Sequence, residues 1–99
     1  MAVSKIHNQN GAIVVYDSVD VLSDGTHNYK TMSIPYKAGY VPCGIIGMSA
    51  RASYDGFTKI YDWSLYNMNT NDPKISVYWT SVLSSGYGVL VVIAYIKSI

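Results

Sequence analysis

The sequence predicts an all-β protein, an antiparallel β-sandwich of jelly-roll-like form with about six main strands. Turn-forming residues interrupt the chain about every 10–15 positions, as in sandwiches and barrels. Apolar and polar residues alternate in most of the intervening runs, and no stretch of helical length repeats its apolar residues with helical period. Because 99 residues suit one domain, we expect residues 1–11 to form an N-terminal arm and residues 12–99 a single sandwich domain.

The first two predicted strands are Ala12–Leu22 and Tyr29–Tyr36. In the first run, apolar residues occupy alternate positions, and Asp17 interrupts this series. In the second, Pro35 cannot donate a ladder hydrogen bond, so we expect this strand to be an edge or to end there. The residues assigned to one face are Ile13, Val15, Val19 and Val21 in the first run, and Met32, Ile34 and Tyr36 in the second.

The next two predicted strands are Cys43–Tyr54 and Phe57–Tyr66. Between them, Asp55-Gly56 has the composition of a type I′ turn, which predicts a β-hairpin. Gly44 and Gly47 indicate a bulge or a close approach of backbone. One face of the third run carries Ile46, Met48, Ala50 and Ala52, and one face of the fourth carries Tyr61, Trp63 and Leu65.

The last two predicted strands are Lys74–Leu83, with Ile75, Val77 and Trp79 on one face, and Tyr87–Lys97. The sixth run is apolar on both faces, although only one face of such a strand meets the core of a sandwich. Charged residues make up 13% of the chain, roughly half the usual share. Both observations predict a homo-oligomer, with an interface on Val89, Val91, Ile93 and Tyr95.

Composition argues against several partners. The net charge is +1 and the Lys and Arg residues are scattered, whereas a nucleic-acid groove needs clustered cations. The single cysteine, Cys43, allows no internal disulfide. The first residues lack the apolar segment of a secretory signal, and the longest apolar run, Val89–Ile96, is too short for a membrane helix. We therefore expect no nucleic acid, no signal peptide and no membrane insertion.

No pattern of residues indicates catalysis, a metal or a cofactor. His7 and His27 do not stand at ligand spacing from Cys43 or from a carboxylate. The aspartates between positions 17 and 24 lack the glutamate that completes a calcium loop. Cys43 has no neighbouring base that would make it a nucleophile. We expect a protein that is not an enzyme, with no catalytic residue, no metal ligand and no cofactor.

The ten tyrosines are the most unusual feature of the composition. Binding surfaces favour tyrosine because it offers a large contact area at a small cost in entropy. The preference of tyrosine for β-strands explains the same residues without any ligand. The tyrosines predicted at strand ends or in turns are Tyr29, Tyr40, Tyr54, Tyr66 and Tyr87.

If each run crosses the domain and reverses direction, the turns alternate between its two ends. The turns at 24–28, 55–56 and 84–86 then share one end, opposite both termini and the turns at 37–41 and 67–73. An N-terminal attachment would leave the first end free to meet a receptor, as binding loops on a rigid scaffold do; ordinary solvated turns are the alternative. The candidate binding residues there, suited to polar ligands such as sugars, are Asp24, His27, Asn28, Tyr54, Asp55 and Tyr87.

Two stretches resemble passages of a known family. Ser33–Gly47, which reads SIPYKAGYVPCGIIG, resembles a passage rich in proline, glycine and tyrosine in small β-rich end domains of bacteriophage and prophage tail-fibre-type proteins. Val91–Lys97, which reads VVIAYIK, resembles the apolar strand that closes such domains. The resemblance implies a homotrimer located in the virion, or in the cytoplasm of the bacterial host before assembly. The matching positions are scaffold residues, so the resemblance assigns no binding residue.

We therefore expect a phage or prophage structural or receptor-binding domain. Its expected partners are further copies of itself, most simply in a trimer, and a cell-surface glycan or another virion protein. A cellular carbohydrate-binding module that uses exposed tyrosines is the alternative.

Overall fold

The computed structural model describes residues 12–51 and 58–98, and six β-strands make up the regular structure of these residues. The strands are β1 (Val14–Leu22), β2 (Tyr29–Ser33), β3 (Tyr40–Arg51), β4 (Ile60–Tyr66), β5 (Lys74–Trp79) and β6 (Gly88–Lys97). The predicted all-β class and the number of strands are confirmed, and the second strand ends before Pro35.

The strands form two three-stranded antiparallel sheets that pack face to face. Sheet A has the order β1-β6-β3 and sheet B the order β2-β5-β4. Four of the five connections between consecutive strands cross from one sheet to the other, and the fifth joins the neighbouring strands β4 and β5 within sheet B. Double-sheet rolls with Greek-key connections have this connectivity, so the predicted jelly-roll-like sandwich is confirmed.

The core lies between the sheets and follows the alternation of the strands. In β5, the centre of sheet B, Ile75, Val77 and Trp79 are fully buried. They face the buried residues of β1 and β6 in sheet A, where Val15 and Val21 lie on the predicted face of the first strand. Ile13, predicted for the same face, precedes β1 and is 66% exposed. Alternate side chains of the central strands therefore point into the core, and Ser76 and Ala94 on their outward faces are buried as well.

The alternate residues of β6 face in opposite directions. Val89, Val91, Ile93 and Tyr95 have no exposed surface, and they point towards sheet B. The structure thus places the four residues predicted for an oligomer interface in the core of the domain. The outward face of β6 is carried instead by Leu90, Val92, Ala94 and Ile96, of which Ile96 is exposed.

Two bulges in β3 change the face that its residues occupy. The register shifts between Pro42 and Gly44 and again between Ile45 and Gly47, where the glycines predicted an irregularity. An extra residue in one strand moves the following side chains to the other face. Ile46, predicted for the core face, is consequently 60% exposed, while Ile45 packs against the core.

The strands that flank the turn predicted at Asp55-Gly56 do not pair with each other. The strands on either side belong to different sheets, because β3 pairs with β6 and β4 pairs with β5. The two residues themselves lie outside the described residues. A local turn motif carries no information about which sheet the next strand joins, and in this fold the connection crosses between sheets.

The predicted alternation of turns between two ends is confirmed for the described residues. At one end, Ser23 donates its backbone N–H to the carbonyl of Tyr87. At the other, the Lys97 N–H donates to the Ile13 carbonyl at 2.8 Å, and the Ser98 N–H donates to the Gly39 carbonyl at 2.9 Å. We call these the loop end and the terminal end.

Candidate functional site

The loop end holds four of the six predicted binding residues within the described chain: Asp24, His27, Asn28 and Tyr87. Asp24 organises its own loop, since Oδ1 accepts the backbone N–H groups of Thr26 and His27 at 2.8 and 2.9 Å. Its Oδ2 lies 2.7 Å from Nδ1 of His27. These hydrogen bonds lower the pKa of the Asp24 carboxyl well below its usual value, and the one from the Thr26 N–H has the largest effect. The carboxylate is therefore committed to the loop.

Asn28 and Tyr87 also hold the backbone of the loop end. The Asn28 side-chain amide donates to the Trp79 carbonyl at 3.1 Å, and the Trp79 N–H donates to the Asn28 carbonyl at 2.8 Å. The Tyr87 carbonyl accepts the Ser23 N–H, while its ring is partly exposed. Tyr54 and Asp55, the other two predicted binding residues, lie outside the described residues.

The structure adds a feature that the sequence analysis missed, a row of four aromatic rings. It runs from His27 at the loop end across the surface of sheet B that faces away from sheet A. Successive ring centroids are 5.1 Å apart for His27 and Tyr29, 6.0 Å for Tyr29 and Tyr78, and 6.1 Å for Tyr78 and Tyr61. We call this set the aromatic row, and the surface that carries it the outer face of sheet B.

Strand pairing assembles the aromatic row from three strands. Tyr29 of β2 stands directly opposite Tyr78 of β5, on the face opposite the buried Val77 and Trp79. On β4, the register shifts between Ile60 and Asp62, so Tyr61 occupies a bulge. Strict alternation would turn Tyr61 inward with Trp63, as predicted, but the bulge brings its ring against Tyr78 instead.

The remaining outer face of sheet B is polar. Below the aromatic row, Thr31 and Ser76 join their hydroxyls at 2.7 Å, and Ser64 stands opposite Ser76 on β4. Towards the terminal end, the Ser33 hydroxyl donates to Asp72 at 2.7 Å, and Lys74 lies 3.2 Å from the same carboxylate. The hydrogen bond from Ser33, together with Lys74, lowers the pKa of Asp72.

This face thus presents aromatic, hydroxyl and ionic groups in successive strips. Tyr29 is 43% exposed and Tyr61 60% exposed, so both rings present apolar surface and a phenolic hydroxyl to solvent. Aromatic rings of this kind contribute a large apolar contact and a polar group together. Such a surface suits a ligand that has apolar ring faces and many hydroxyl groups.

The structure also contains two clefts, one of which borders the aromatic row at Tyr61. One, of about 380 Å³, runs along the open side of the sandwich between β3 and β4, and Met48, Ile60 and Trp63 are among its lining residues. The other, of about 260 Å³, lies at the terminal end between the 36–41 and 68–71 segments. Neither is lined by any of the four predicted binding residues that the structure describes.

The described residues contain neither a cluster of metal-ligating side chains nor a membrane-spanning helix. Over residues 12–51 and 58–98, no three His, Cys, Asp or Glu side chains come together as metal ligands. Over the same residues, no helix has the length and apolar character needed to span a bilayer.

Comparison with known proteins adds no further assignment to this geometry. No family model, curated protein or solved structure matches the chain.

Proposed function

We propose that the protein is a non-enzymatic adhesion domain that binds carbohydrate on the outer face of sheet B. The observation that carries the proposal is the aromatic row, four neighbouring rings on an open sheet surface. Sugars offer one apolar ring face made of C–H groups and a rim of hydroxyls. The spacing of neighbouring rings, 5.1 to 6.1 Å, is close to the length of one sugar unit, so successive units of a chain can each meet a ring.

The polar strip beside the rings supports the same ligand class. Thr31 and Ser64 carry the exposed hydroxyls of this strip, and a hydroxyl both donates and accepts, as sugar recognition requires; Ser76, which stands between them, is buried and bonds Thr31 at 2.7 Å. Single-stranded nucleic acid also stacks on aromatic rings, but the charge of the protein favours carbohydrate over nucleic acid as the ligand. Such binding combines rings with a basic groove, whereas this chain has a net charge of +1. Asp62, which follows Tyr61 on β4 and is exposed, adds a negative charge that repels phosphate.

The biological setting of the proposal comes from the resemblance to phage and prophage end domains. In that setting the ligand is a glycan of the bacterial cell surface, and the protein is part of a virion. A cellular carbohydrate-binding module, the alternative, would use the same face for other polysaccharides. Glycan arrays that carry both bacterial surface polysaccharides and plant or animal glycans separate the two. The trimeric assembly that the resemblance implies stays a prediction.

The test compares exposed tyrosines inside and outside the aromatic row. Tyr61→Ala removes the most exposed tyrosine of the row and should weaken binding to any glycan identified on the array about tenfold or more. Tyr16→Ala is the matched control, because Tyr16 is similarly exposed but lies on the outward face of sheet A. Calorimetric titration measures the affinities, and circular dichroism checks that both variants fold.

Two further variants distinguish this face from the loops. Tyr87→Ala tests the predicted binding site at the loop end, and Asn69→Ala tests the cleft at the terminal end. The proposal expects both to bind as the wild type does. Loss of binding in Tyr87→Ala or Asn69→Ala, with Tyr61→Ala unaffected, would move the site to that end of the domain. A wild-type protein that binds no glycan on either class of array would reject carbohydrate as the ligand.

A further inference from the structure

Four strands of the described chain are sheet edges: β1 and β3 in sheet A, and β2 and β4 in sheet B. An edge strand exposes a row of unpaired N–H and C=O groups that can pair with another chain. Proteins protect edges with charges, prolines, bulges or short strands. The four edges of this sandwich differ in how many of these protective features they carry.

Three of the edges are protected. β1 carries Asp17 and Asp20, whose carboxylates pair with Lys37 at 3.1 Å and with Arg51 at 2.9 Å. β2 is only five residues long and ends before Pro35. β3 contains a proline and two bulges, which interrupt a regular ladder on its free side.

The fourth edge, β4, is open. It begins with a bulge and carries one charge, Asp62, but after Asp62 its register is regular through Tyr66 with no further charge, proline or bulge. Trp63 points towards sheet A by its pairing with the buried Val77, yet it is 41% exposed. It remains exposed because the cleft of about 380 Å³ separates β4 from β3 on this side of the sandwich.

The connectivity accounts for this open side. An eight-stranded jelly roll contains two more strands than the described part of this chain. Here, residues 67–73 lead directly from β4 to β5, so the described chain supplies no strand beyond the edges of β3 and β4.

The sequence of β4 is complementary to itself. In an antiparallel pairing about a two-fold axis at Ser64, Trp63 stands opposite the partner's Leu65 on the cleft side, an aromatic–aliphatic pair of the kind that stabilises sheets. On the outer side, Asp62 stands opposite the partner's Tyr66, so no like charges face each other. The residue on the axis, Ser64, is small and exposed.

We propose that two copies of the protein pair antiparallel along β4, and that the dimer joins their B sheets into one sheet of six strands. The pairing satisfies edge hydrogen-bonding groups and covers Trp63. It also agrees with the low charge content of the chain, 13%, which leaves much apolar surface to cover. The interface is a single strand, so the dimer is of the small, weak class of protein contacts. This inference is independent of the proposed glycan binding.

The experiment uses the residue on the two-fold axis. Light scattering across the micromolar range should give a mass that rises towards twice the 10.9 kDa of the chain. Ser64→Lys and Ser64→Asp each place two like charges opposite each other, so each variant alone should be monomeric. An equimolar mixture of the two should dimerise, because the charges opposed across the axis are then opposite in sign.

Ser18→Lys is the matched control. Ser18 is also an exposed serine on an edge strand, but it lies on the outward face of sheet A. This variant should dimerise as the wild type does, and circular dichroism should show that every variant is folded. A wild-type monomer, a trimer, loss of assembly in Ser18→Lys but not in Ser64→Lys, or failure of the mixture to dimerise would each overturn the proposal. A trimer sensitive to Ser18→Lys would assign assembly to sheet A instead.

Discussion

At the scale of single residues, Tyr95 shows how the core accommodates a polar group. Its side chain is fully buried, and its hydroxyl donates to the Pro35 carbonyl at 2.7 Å. Burial disfavours the charged phenolate, and the negative charge of Asp17 adds to the effect, so the pKa of Tyr95 rises to about 12. The hydrogen bond satisfies the hydroxyl only while the proton is present.

This raised pKa predicts a loss of stability at alkaline pH. The stabilisation is fully present below the pKa of an unfolded tyrosine, about 10, and is lost as pH rises from there towards 12. Over that interval the free energy of unfolding should fall by about 1.4 kcal/mol per pH unit from this group. Tyr95→Phe removes this contribution, although it costs about 1–3 kcal/mol at neutral pH by leaving the Pro35 carbonyl unpaired.

Urea unfolding of both proteins between about pH 9 and pH 11.5 measures the difference. The other tyrosines titrate in both proteins, so only the difference between the two curves reports on Tyr95. Parallel curves would mean that the phenol of Tyr95 ionises as freely in the folded protein as in the unfolded chain.

Gly88 is a second residue that its surroundings fix. It stands opposite Leu22 at the start of β6, and a Cβ atom there would collide with the carbonyl oxygen of Val21 and approach the Leu22 Cα. Both are backbone atoms, which cannot turn aside as a side chain can. Gly88→Ala should therefore destabilise the protein by about 1–3 kcal/mol or more.

Gly44→Ala is the control for Gly88→Ala. Gly44 also lies in a strand of sheet A, but a Cβ at this position meets nothing within 4 Å. Its free energy of unfolding, measured in urea, should stay within about 0.5 kcal/mol of the wild type. Equal losses in the two variants would show that strand propensity, and not the collision at Gly88, determines the cost.

At the scale of the strand, β6 separates core from surface within two consecutive residues. Val91 is fully buried, and Val92 is partly exposed on the outward face between Ser18 and Gly47. Val91→Asp should unfold the domain, because an unpaired buried charge costs a large part of the 5–15 kcal/mol that stabilises a typical domain. Val92→Asp should remain folded, since its carboxylate reaches water.

Thermal unfolding followed by circular dichroism compares the two variants. The assignment of faces fails if Val91→Asp melts like the wild type while Val92→Asp is unfolded. Light scattering of Val92→Asp also tests whether the outward face of sheet A takes part in assembly.

The strands differ in how well their sequences predict their faces. β5 has a regular register, so the alternation of Ile75, Val77 and Trp79 predicts its buried face correctly. The bulges of β3 are indicated by Gly44 and Gly47, although the glycines do not say which side chains reverse. The bulge of β4 falls among Ile60, Tyr61 and Asp62, where no glycine or proline announces it. Strict alternation therefore assigns Tyr61 to the wrong face.

At the scale of the whole molecule, the sequence predicts the fold class and the two ends but not the aromatic row. The fold class follows from the periodicity of apolar residues and the spacing of turns, which are local features of the sequence. The end at which each turn lies follows from counting how often the chain reverses direction. The aromatic row depends on which strands are neighbours: Tyr29, Tyr61 and Tyr78 meet because β5 lies between β2 and β4. No local sequence pattern encodes that strand order, so the sequence alone indicates candidate binding residues at the loop end but not on the outer face of sheet B.

The hydrogen bond between Lys97 and Ile13 has a mechanical consequence. The first and last strands are antiparallel neighbours, and both described ends of the chain leave at the terminal end, beside the pair Val14 and Ile96. Tension applied between these ends loads the ladder one rung at a time, like a zipper, and does not shear all its rungs together. The domain should therefore open at low force when pulled by both ends. A force applied between one terminus and the ligand proposed for sheet B would not pull β1 and β6 apart from their ends. If the protein acts as an adhesin, we therefore expect it to be anchored by a single terminus.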